Sequence, residues 1–306
     1  MSLNKQIWIN QIQENFYPET NFLEKVVDLS AFVEYDQIHM AEAGIDPEVR
    51  VNENTYPIKA VERPDGDCVF ELDKFETQNT LIRRPDAIEL SYNKLESVIS
   101  QHRNTLQVAV YKKALHAYAP INNTKDTPVI ETTGEVVDGR KRLRFADILK
   151  LKEKFDTALV PLENRYLVLD PRHVTDLLLE DMQLFKDLTK IKDGEPEPFG
   201  GFGIYAFPFT PTYSAGQKQA YNAAQTENFA SVAFHAKEVM KADGEVYMYA
   251  RVDDPEERAT LIGFDKRFIA LPIRNKGIGA IVSASAEPEV EPMAEPMAEP
   301  EVEPMA

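Results

Sequence analysis

Hydrophobic residues recur at helical spacing over one stretch that is longer than any other in the chain, residues 85–118. Pro85 and Asp86 mark its beginning, because proline fixes φ and an acidic side chain favours the positive end of a helix. Neither glycine nor proline occurs from there to Tyr118, and the apolar positions are Ile88, Leu90, Leu95, Val98, Ile99, Leu106, Val110, Leu115 and Ala117. The pattern predicts a helix of roughly 48 Å, longer than a compact domain of this size needs across its width.

The first 48 residues contain two short apolar clusters and predict an N-terminal arm. Two interpretations stay open: a subdomain packed on its own body, or an arm that lies on a neighbouring copy. Trp8 is the only tryptophan of the chain, and tryptophan is a favoured anchor at protein interfaces. Trp8 and the nearby Ile12 are therefore candidate contacts to another subunit.

Residues 49–82 predict a long β-hairpin, with an extended segment over 49–60, a turn at 63–67 and a returning strand over 68–72. The hairpin is polar, and a two-stranded hairpin is marginally stable alone. It is either a flap on its own domain or a loop that reaches over a neighbour. Its candidate intersubunit contacts are Tyr56, Arg63, Asp65 and Phe70.

The remainder of the chain alternates short helical and strand patterns, which predicts an α+β fold. Helices are expected at Phe145–Phe155 and His173–Leu188, and strands at Arg165–Leu169, Ala230–Phe234, Glu245–Val252, Leu261–Leu271 and Ile278–Val282. A glycine-rich segment, Gly200–Phe209, is followed by a strand, whereas a dinucleotide site needs glycines between a strand and a helix. We therefore expect no nucleotide site there and take Phe202 and Tyr205 as candidate contacts.

From Ala284 onward the composition changes to repeats of Glu-Pro-Met-Ala and Glu-Pro-Glu-Val. Proline at every fourth position with no basic residue predicts a disordered, acidic tail over 284–306. Its seven glutamates account for seven of the 17 net negative charges, which leaves −10 on residues 1–283. An acidic body is a poor partner for nucleic acid or anionic membrane but is compatible with enclosing nucleic acid without adhering to it.

The residue types that carry chemistry are scattered. Cys68 is the only cysteine, so no internal disulfide exists and a reducing cytoplasmic setting is the simplest inference. None of the five histidines stands at a metal-ligand spacing: His39, His102, His116, His173 and His235. No cofactor, metal or catalytic residue is predicted, and the basic cluster 140–144 is expected to be a solvated or salt-bridged turn.

The order of these parts resembles the major capsid protein of tailed bacteriophages, the Hong Kong 97-type fold that encapsulins share. An arm and an extended hairpin precede a long helix, and an inserted lobe is followed by closing strands. The segments 133–149, 166–171, 230–235 and 277–281 look like family segments. The resemblance covers about residues 1–283.

The resemblance implies a division into an N-terminal arm (1–48), an extended hairpin loop (49–82), a peripheral domain with a spine helix (83–140), an axial domain (141–243), closing peripheral strands (244–283) and the acidic tail (284–306). It also implies a non-enzymatic icosahedral shell around phage double-stranded DNA, built from pentamers and hexamers of this chain, with no membrane partner. Portal, scaffold and decoration proteins are the other partners it suggests. The location would be the virion, after assembly in the host bacterial cytoplasm.

Two alternatives remain. An encapsulin-like compartment that holds cargo shares the fold, and sequence alone separates it poorly from a phage head. A cytoplasmic α/β enzyme would assemble a site from scattered acids and His173 or His235.

Overall fold

Three α-helices and twenty mostly short β-strands make up the part of the chain that the computed structural model describes, residues 22–42, 66–83, 94–181, 191–192, 195–196, 198–223 and 228–285. The helices are α1 (Lys94–Tyr118), α2 (Phe145–Thr157) and α3 (Pro171–Glu180). Short 3-10 helices span Phe22–Glu24, Ser30–Phe32 and Ala236–Glu238. The first ten strands are β1 (Val27–Asp28), β2 (Val33–Glu34), β3 (Gln37–Glu42), β4 (Gly66–Glu71), β5 (Asp73–Glu76), β6 (Thr80–Arg83), β7 (Val129–Glu131), β8 (Val136–Val137), β9 (Arg140–Lys141) and β10 (Arg165–Leu169). The others are β11 (Ile191–Lys192), β12 (Glu195–Pro196), β13 (Pro198–Phe199), β14 (Phe202–Ala206), β15 (Tyr213–Ser214), β16 (Gln217–Lys218), β17 (Ala230–His235), β18 (Val239–Asp254), β19 (Ala259–Pro272) and β20 (Ile278–Val282).

Two sheets organise the fold. The long-strand sheet has the order β1-β18-β19-β5, with β6 also paired to β19. The six-stranded sheet has the order β13-β14-β10-β17-β20-β7. The predicted α+β class is confirmed, and the predicted strands that begin near 165, 230, 245, 261 and 278 are all present.

Helix α1 ends at Tyr118, as the sequence predicts, and its described part is 25 residues long, about 37 Å. Residues 84–93, which the sequence assigns to its beginning, lie outside the described residues. The predicted apolar stripe is buried at Val98, Ile99, Leu106, Val110 and Leu115. The helix packs mainly against β19, so it covers one face of the long-strand sheet.

The main hydrophobic core joins α1 to both sheets. Phe22 lies in this core, with ring centroids 5.3 Å from Tyr111 of α1 and 6.2 Å from Phe234 of β17. Strand β1 then pairs in parallel with β18. Residues 22–28 therefore belong to the subunit's own core, which agrees with the first of the two interpretations, a subdomain packed on its own body; residues 1–21 lie outside the described residues.

A second core lies between α2, α3 and the six-stranded sheet. Ile148, Leu151 and Phe155 of α2 are buried against it, and Leu177 closes it from α3. Asp170 begins α3 by accepting the backbone N–H of Arg172, with Pro171 in the first turn. Because the main core covers the other face of the sheet, β10 is buried at all five positions.

The hairpin is real, but its strands differ from the predicted ones. Strand β4 pairs with β3, from Gln37 opposite Glu71 to Glu42 opposite Gly66. The strand that pairs with β4 is therefore 37–42, and the predicted extended segment 49–60 lies outside the described residues. Gly66 and Asp67 belong to a strand and not to the turn. Residues 43–65, which connect the two strands, lie outside the described residues.

The division between the sheets also differs from the predicted boundaries. The last strand, β20, was assigned to a closing peripheral unit, but it pairs with β17 and β7 in the six-stranded sheet. Strand β18 begins at Val239, before the predicted boundary at 244. The chain crosses between the sheets at 236–238 and returns at 273–277.

Candidate assembly surfaces

The eight predicted contact residues fall into three groups: residues outside the described part, half-buried residues and one fully buried residue. Trp8, Ile12, Tyr56, Arg63 and Asp65 lie outside the described residues. In the described part, Phe70 is half-buried at the base of the hairpin, and Tyr205 is half-buried with its ring 5.8 Å from that of Tyr166. Phe202 is completely buried in the second core, against Phe155. Because its side chain is not accessible, Phe202 is corrected from a contact residue to a core residue.

The base of the hairpin is fixed on the long-strand sheet. Ile38 and Leu72 are buried in a cluster with Met240, Ala242 and Ile269. The Leu72 N–H donates to the Asp36 carbonyl over 2.9 Å. The base of the hairpin is therefore anchored on the long-strand sheet. This support stabilises a polar two-stranded element that would be marginally stable alone.

A strongly exposed turn stands beside this base. Tyr35 and Asp36 connect β2 to β3 with φ values of 49° and 61°, and Tyr35 is 99% exposed. A two-residue turn with both φ values positive usually contains glycine or asparagine. Sequence reasoning missed it because Tyr-Asp gives no such signal.

A second exposed turn follows α2. Leu159 has φ of 56° and is 85% exposed, and Leu162 is 66% exposed. The buried guanidinium of Arg165 holds the turn by donating to the carbonyls of Val160 and Pro161 and to the Asp156 carboxylate. The turn thus presents two leucines on a braced backbone.

The basic cluster 140–144 is salt-bridged, as the sequence predicts. Arg140 makes two hydrogen bonds to the buried carboxylate of Asp176, at 2.6 and 2.9 Å, and the Leu143 N–H donates to the same group. Arg144 pairs with Glu180 over 3.3 Å. The turn itself is Asp138-Gly139, both with positive φ, between β8 and β9.

His173, a candidate of the enzyme alternative, is fully buried between two hydroxyl groups. Its Nδ1 lies 2.6 Å from Ser231 Oγ, and its Nε2 lies 3.0 Å from Ser283 Oγ. Ser231 Oγ also accepts the Asp170 N–H, so the same hydroxyl contacts both the ring and the residue that begins α3. Burial lowers the pKa of His173 to about 4. The neutral imidazole therefore joins α3 to β17 and to the end of β20.

His235, the other histidine of that alternative, is also buried, and burial lowers its pKa. Its Nδ1 accepts the Lys237 N–H over 3.3 Å, at the start of the short helix that leads into β18. The two histidines thus lie at opposite ends of β17 and form no common site.

Lys218, which sequence reasoning did not select, binds the C-terminal end of α1. Lys218 Nζ donates to the carbonyls of His116 and Ala119, at 2.9 and 2.7 Å. Burial lowers the pKa of Lys218 to about 8. Tyr213, from the same β15–β16 hairpin, donates to the Pro120 carbonyl. This hairpin fixes the C-terminal end of the long helix.

The described residues contain no group of three or more histidine, cysteine, aspartate or glutamate side chains placed to hold a metal ion. Among the helices in the described ranges, none has the length and apolar character that crossing a bilayer requires.

A long helix across one sheet, a second sheet in an inserted lobe and a hairpin rooted beside the long strands define the Hong Kong 97-type fold. Comparison with solved structures confirms this class. The capsid structure of cyanophage P-SCSP1u matches 87% of this chain and 89% of its own, with a TM-score of 0.61 and 16% identity. The capsid of Ralstonia phage GP4 matches 90% of this chain and 91% of its own, with a TM-score of 0.59 and 9% identity.

A virus-like particle from Pyrococcus furiosus has the same fold, matching 91% of this chain and 99% of its own, with a TM-score of 0.56 and 10% identity. No family model matches the chain, and no curated protein matches its sequence. The relation is therefore visible in the structure and not in the sequence.

Proposed function

We propose that the protein is a major capsid protein that assembles into an icosahedral shell around phage double-stranded DNA. The observation that carries the proposal is the match to phage capsid structures along nearly the whole of both chains. A match of this extent is not limited to one common motif.

The described surface supports self-association. Tyr35, Leu159 and Leu162 are more than 60% exposed on turns that the subunit holds in place. Apolar side chains displayed on rigid turns are suited to contacts with other copies, since little entropy is lost on binding. Contacts between different surfaces of identical subunits must close into rings to avoid open fibres, and rings of five and six are the closed units proposed here.

The charge distribution supports a container more than a nucleic-acid binder. Two of the four basic residues in the cluster 140–144 form ion pairs, Arg140 with Asp176 and Arg144 with Glu180, and the chain as a whole is acidic. DNA would be enclosed without sequence-specific binding, because phosphate recognition requires clustered lysine and arginine. We propose a location in the virion after assembly in the bacterial cytoplasm, with portal, scaffold and decoration proteins as further partners and no catalytic activity.

The experiment is negative-stain electron microscopy with sedimentation of the purified full-length chain. We expect closed shells or rings of five and six subunits. A strictly monomeric protein at high concentration, alone and with phage lysate components, would contradict the proposal. A variant without residues 1–14 should form fewer particles while its circular dichroism stays nearly unchanged; general unfolding would instead place those residues in the subunit core.

A compartment that holds protein cargo is the second candidate, favoured by the match to the Pyrococcus particle. The contents of particles purified from the native source separate the two: packaged DNA supports a phage head, and an enclosed protein supports a compartment.

The enzyme alternative receives no support from His173, which has no exposed atom with which to contact a substrate. An activity that is lost in His173→Ala while the protein remains folded would restore that alternative.

A further inference from the structure

The outer edge of β18 is an unusual feature of the long-strand sheet. Strand β18 pairs with β19 from Val239 to Asp254, with register shifts between Asp243 and Val246 and between Arg251 and Asp254 that leave 246–251 as a regular stretch. On its other side, β1 reaches only Met240 and Lys241. Among the described residues, no strand pairs with that side over 244–254. The helix α1 packs mainly against β19, the neighbouring strand.

The sequence of this edge makes it a strong template for strand pairing. The segment 245–252 reads Glu-Val-Tyr-Met-Tyr-Ala-Arg-Val, with β-forming residues and neither proline nor glycine. Tyr247 and Tyr249 are 51% and 53% exposed, and Val252 is 51% exposed. A long exposed edge of this kind favours pairing with another chain unless something covers it, because its backbone N–H and C=O groups need partners.

We infer that this edge pairs with the same edge of a second copy, antiparallel and about a twofold axis through Met248. In that register Glu245 lies opposite Arg251 of the other copy, and Tyr247 lies opposite Tyr249. A register centred on Tyr249 places neither charge opposite its complement. A register centred on Tyr247 places Arg251 opposite Asp243, whose carboxylate already pairs with Lys266 of its own chain. The register centred on Met248 is thus the one of the three in which Glu245 and Arg251 complement each other, which is what a twofold contact requires.

The surrounding residues are compatible with this pairing. Val246 and Met248 point into the core beneath the sheet, while the two tyrosines point to the open face, so a joined sheet would continue both faces. Arg251 makes one ion pair, from Nη1 to Asp254 over 2.7 Å, and its side chain is 70% exposed. The rest of the guanidinium can therefore meet Glu245 of the other copy.

Seven residues on each side form a contact smaller than the roughly 800 Å² per partner of a standard interface. It would be weak for two isolated subunits and effective where other contacts already hold the copies together. The inference therefore rests on the proposed shell function, in which it supplies a twofold contact between neighbouring rings.

Disulfide trapping tests the register. In a Cys68→Ser background, the variant Glu245→Cys/Arg251→Cys should form covalent dimers on mild oxidation of the assembled protein. The control Glu245→Cys/Ala250→Cys moves the second thiol to the other face of the strand and should form few or none. Absence of dimers in both variants, or equal yields in both, would overturn the proposal.

Charge exchange tests the energetics. Arg251→Glu and Glu245→Arg each place like charges opposite one another, and each should raise the concentration needed for assembly about fivefold. The double exchange Glu245→Arg/Arg251→Glu should restore assembly. A purely local role through Asp254 predicts no rescue, since the double variant still lacks that ion pair, and this outcome would contradict the inference.

The two hypotheses fail separately. If the variant Glu245→Cys/Arg251→Cys forms shells but no disulfide-linked dimers, the edge pairing is wrong and the shell function still stands. Crosslinked dimers in a protein that never forms shells would support the edge pairing and contradict the shell function.

Discussion

The two sheets of the molecule are covered to very different extents. In the six-stranded sheet, every residue of β10, β17 and β20 is buried, because α2 and α3 cover one face and the main core covers the other. In the long-strand sheet, exposed and buried residues alternate over 245–249 of β18, and residues 250–252 are all exposed. One sheet is complete within a single subunit, and the other leaves a face and an edge for a second chain.

The contrast separates residues that stabilise the fold from residues that serve assembly. Substitutions in the six-stranded sheet should change the free energy of unfolding. Substitutions on the open part of the long-strand sheet should change association while the subunit stays folded.

The largest expected effect comes from Phe234, which is fully buried in β17 among Phe22, Tyr118 and Tyr166. Phe234→Ala should lower the free energy of unfolding by about 3–5 kcal/mol, because it removes buried area and leaves a cavity. Tyr249→Ala is the matched change on the open sheet and should cost below about 1 kcal/mol. Urea denaturation of unassembled subunits measures both free energies of unfolding. Equal losses in the two variants would contradict the difference between the sheets.

A smaller effect concerns acidification. The pKa of His173 is about 4 in the folded chain, below its ordinary value of 6.5. Between these values the unfolded chain binds the proton more strongly, so the free energy of unfolding should fall as pH drops from about 6.5 to 4, by about 3 kcal/mol in all.

His173→Gln keeps a donor and an acceptor between the two serines and cannot titrate. Its unfolding free energy should therefore change less over the same range of pH. Parallel curves for the two proteins would show that other groups dominate the acid response.

A third effect concerns the end of α1. Lys218→Met should cost about 1 kcal/mol at pH 7, since the carbonyls of His116 and Ala119 lose their donor. The pKa of Lys218 is about 8 when folded, against 10.5 ordinarily. The unfolded chain holds the extra proton in this window, so native stability should rise as pH increases from 8 toward 10.5.

Thermal unfolding at pH 8 and at pH 9.5 measures this rise in stability. Both pH values lie below the ordinary pKa of tyrosine. Lys266, whose pKa burial also lowers to about 8, should preserve part of the rise in Lys218→Met. An undiminished rise in the variant would assign the whole effect to Lys266 or other groups.

The smallest effect is expected from the acidic tail. Residues 284 and 285, which the predicted tail includes, belong to the fold, because the Ala284 N–H donates to Thr132 Oγ1 and Ser285 forms a β-bridge with Arg140. Deletion of residues 286–306 should leave the melting temperature and the particle yield nearly unchanged, since a Pro-rich acidic segment has little to bury. Loss of particles in this deletion, but not in a control that replaces the seven glutamates with glutamine, would give the tail a structural role.

The sequence by itself determined the local elements. Asp170-Pro171 begins α3, Asp138-Gly139 turns β8 into β9, and Gly200-Gly201 turns β13 into β14 with φ values of 57° and 87°. These features depend on neighbouring residues, whose spacing and backbone preferences can be read directly. The order of the parts also pointed to the fold.

Only the tertiary structure decided which elements pair. It placed β20 beside β17 and β7, paired β4 with residues 37–42, and buried Phe202, although local patterns suggested otherwise. It also brought Lys218 to the end of a helix 100 residues earlier. Such choices depend on contacts between residues far apart in the chain, where many partners satisfy the same local pattern and only the packing of the whole core selects one.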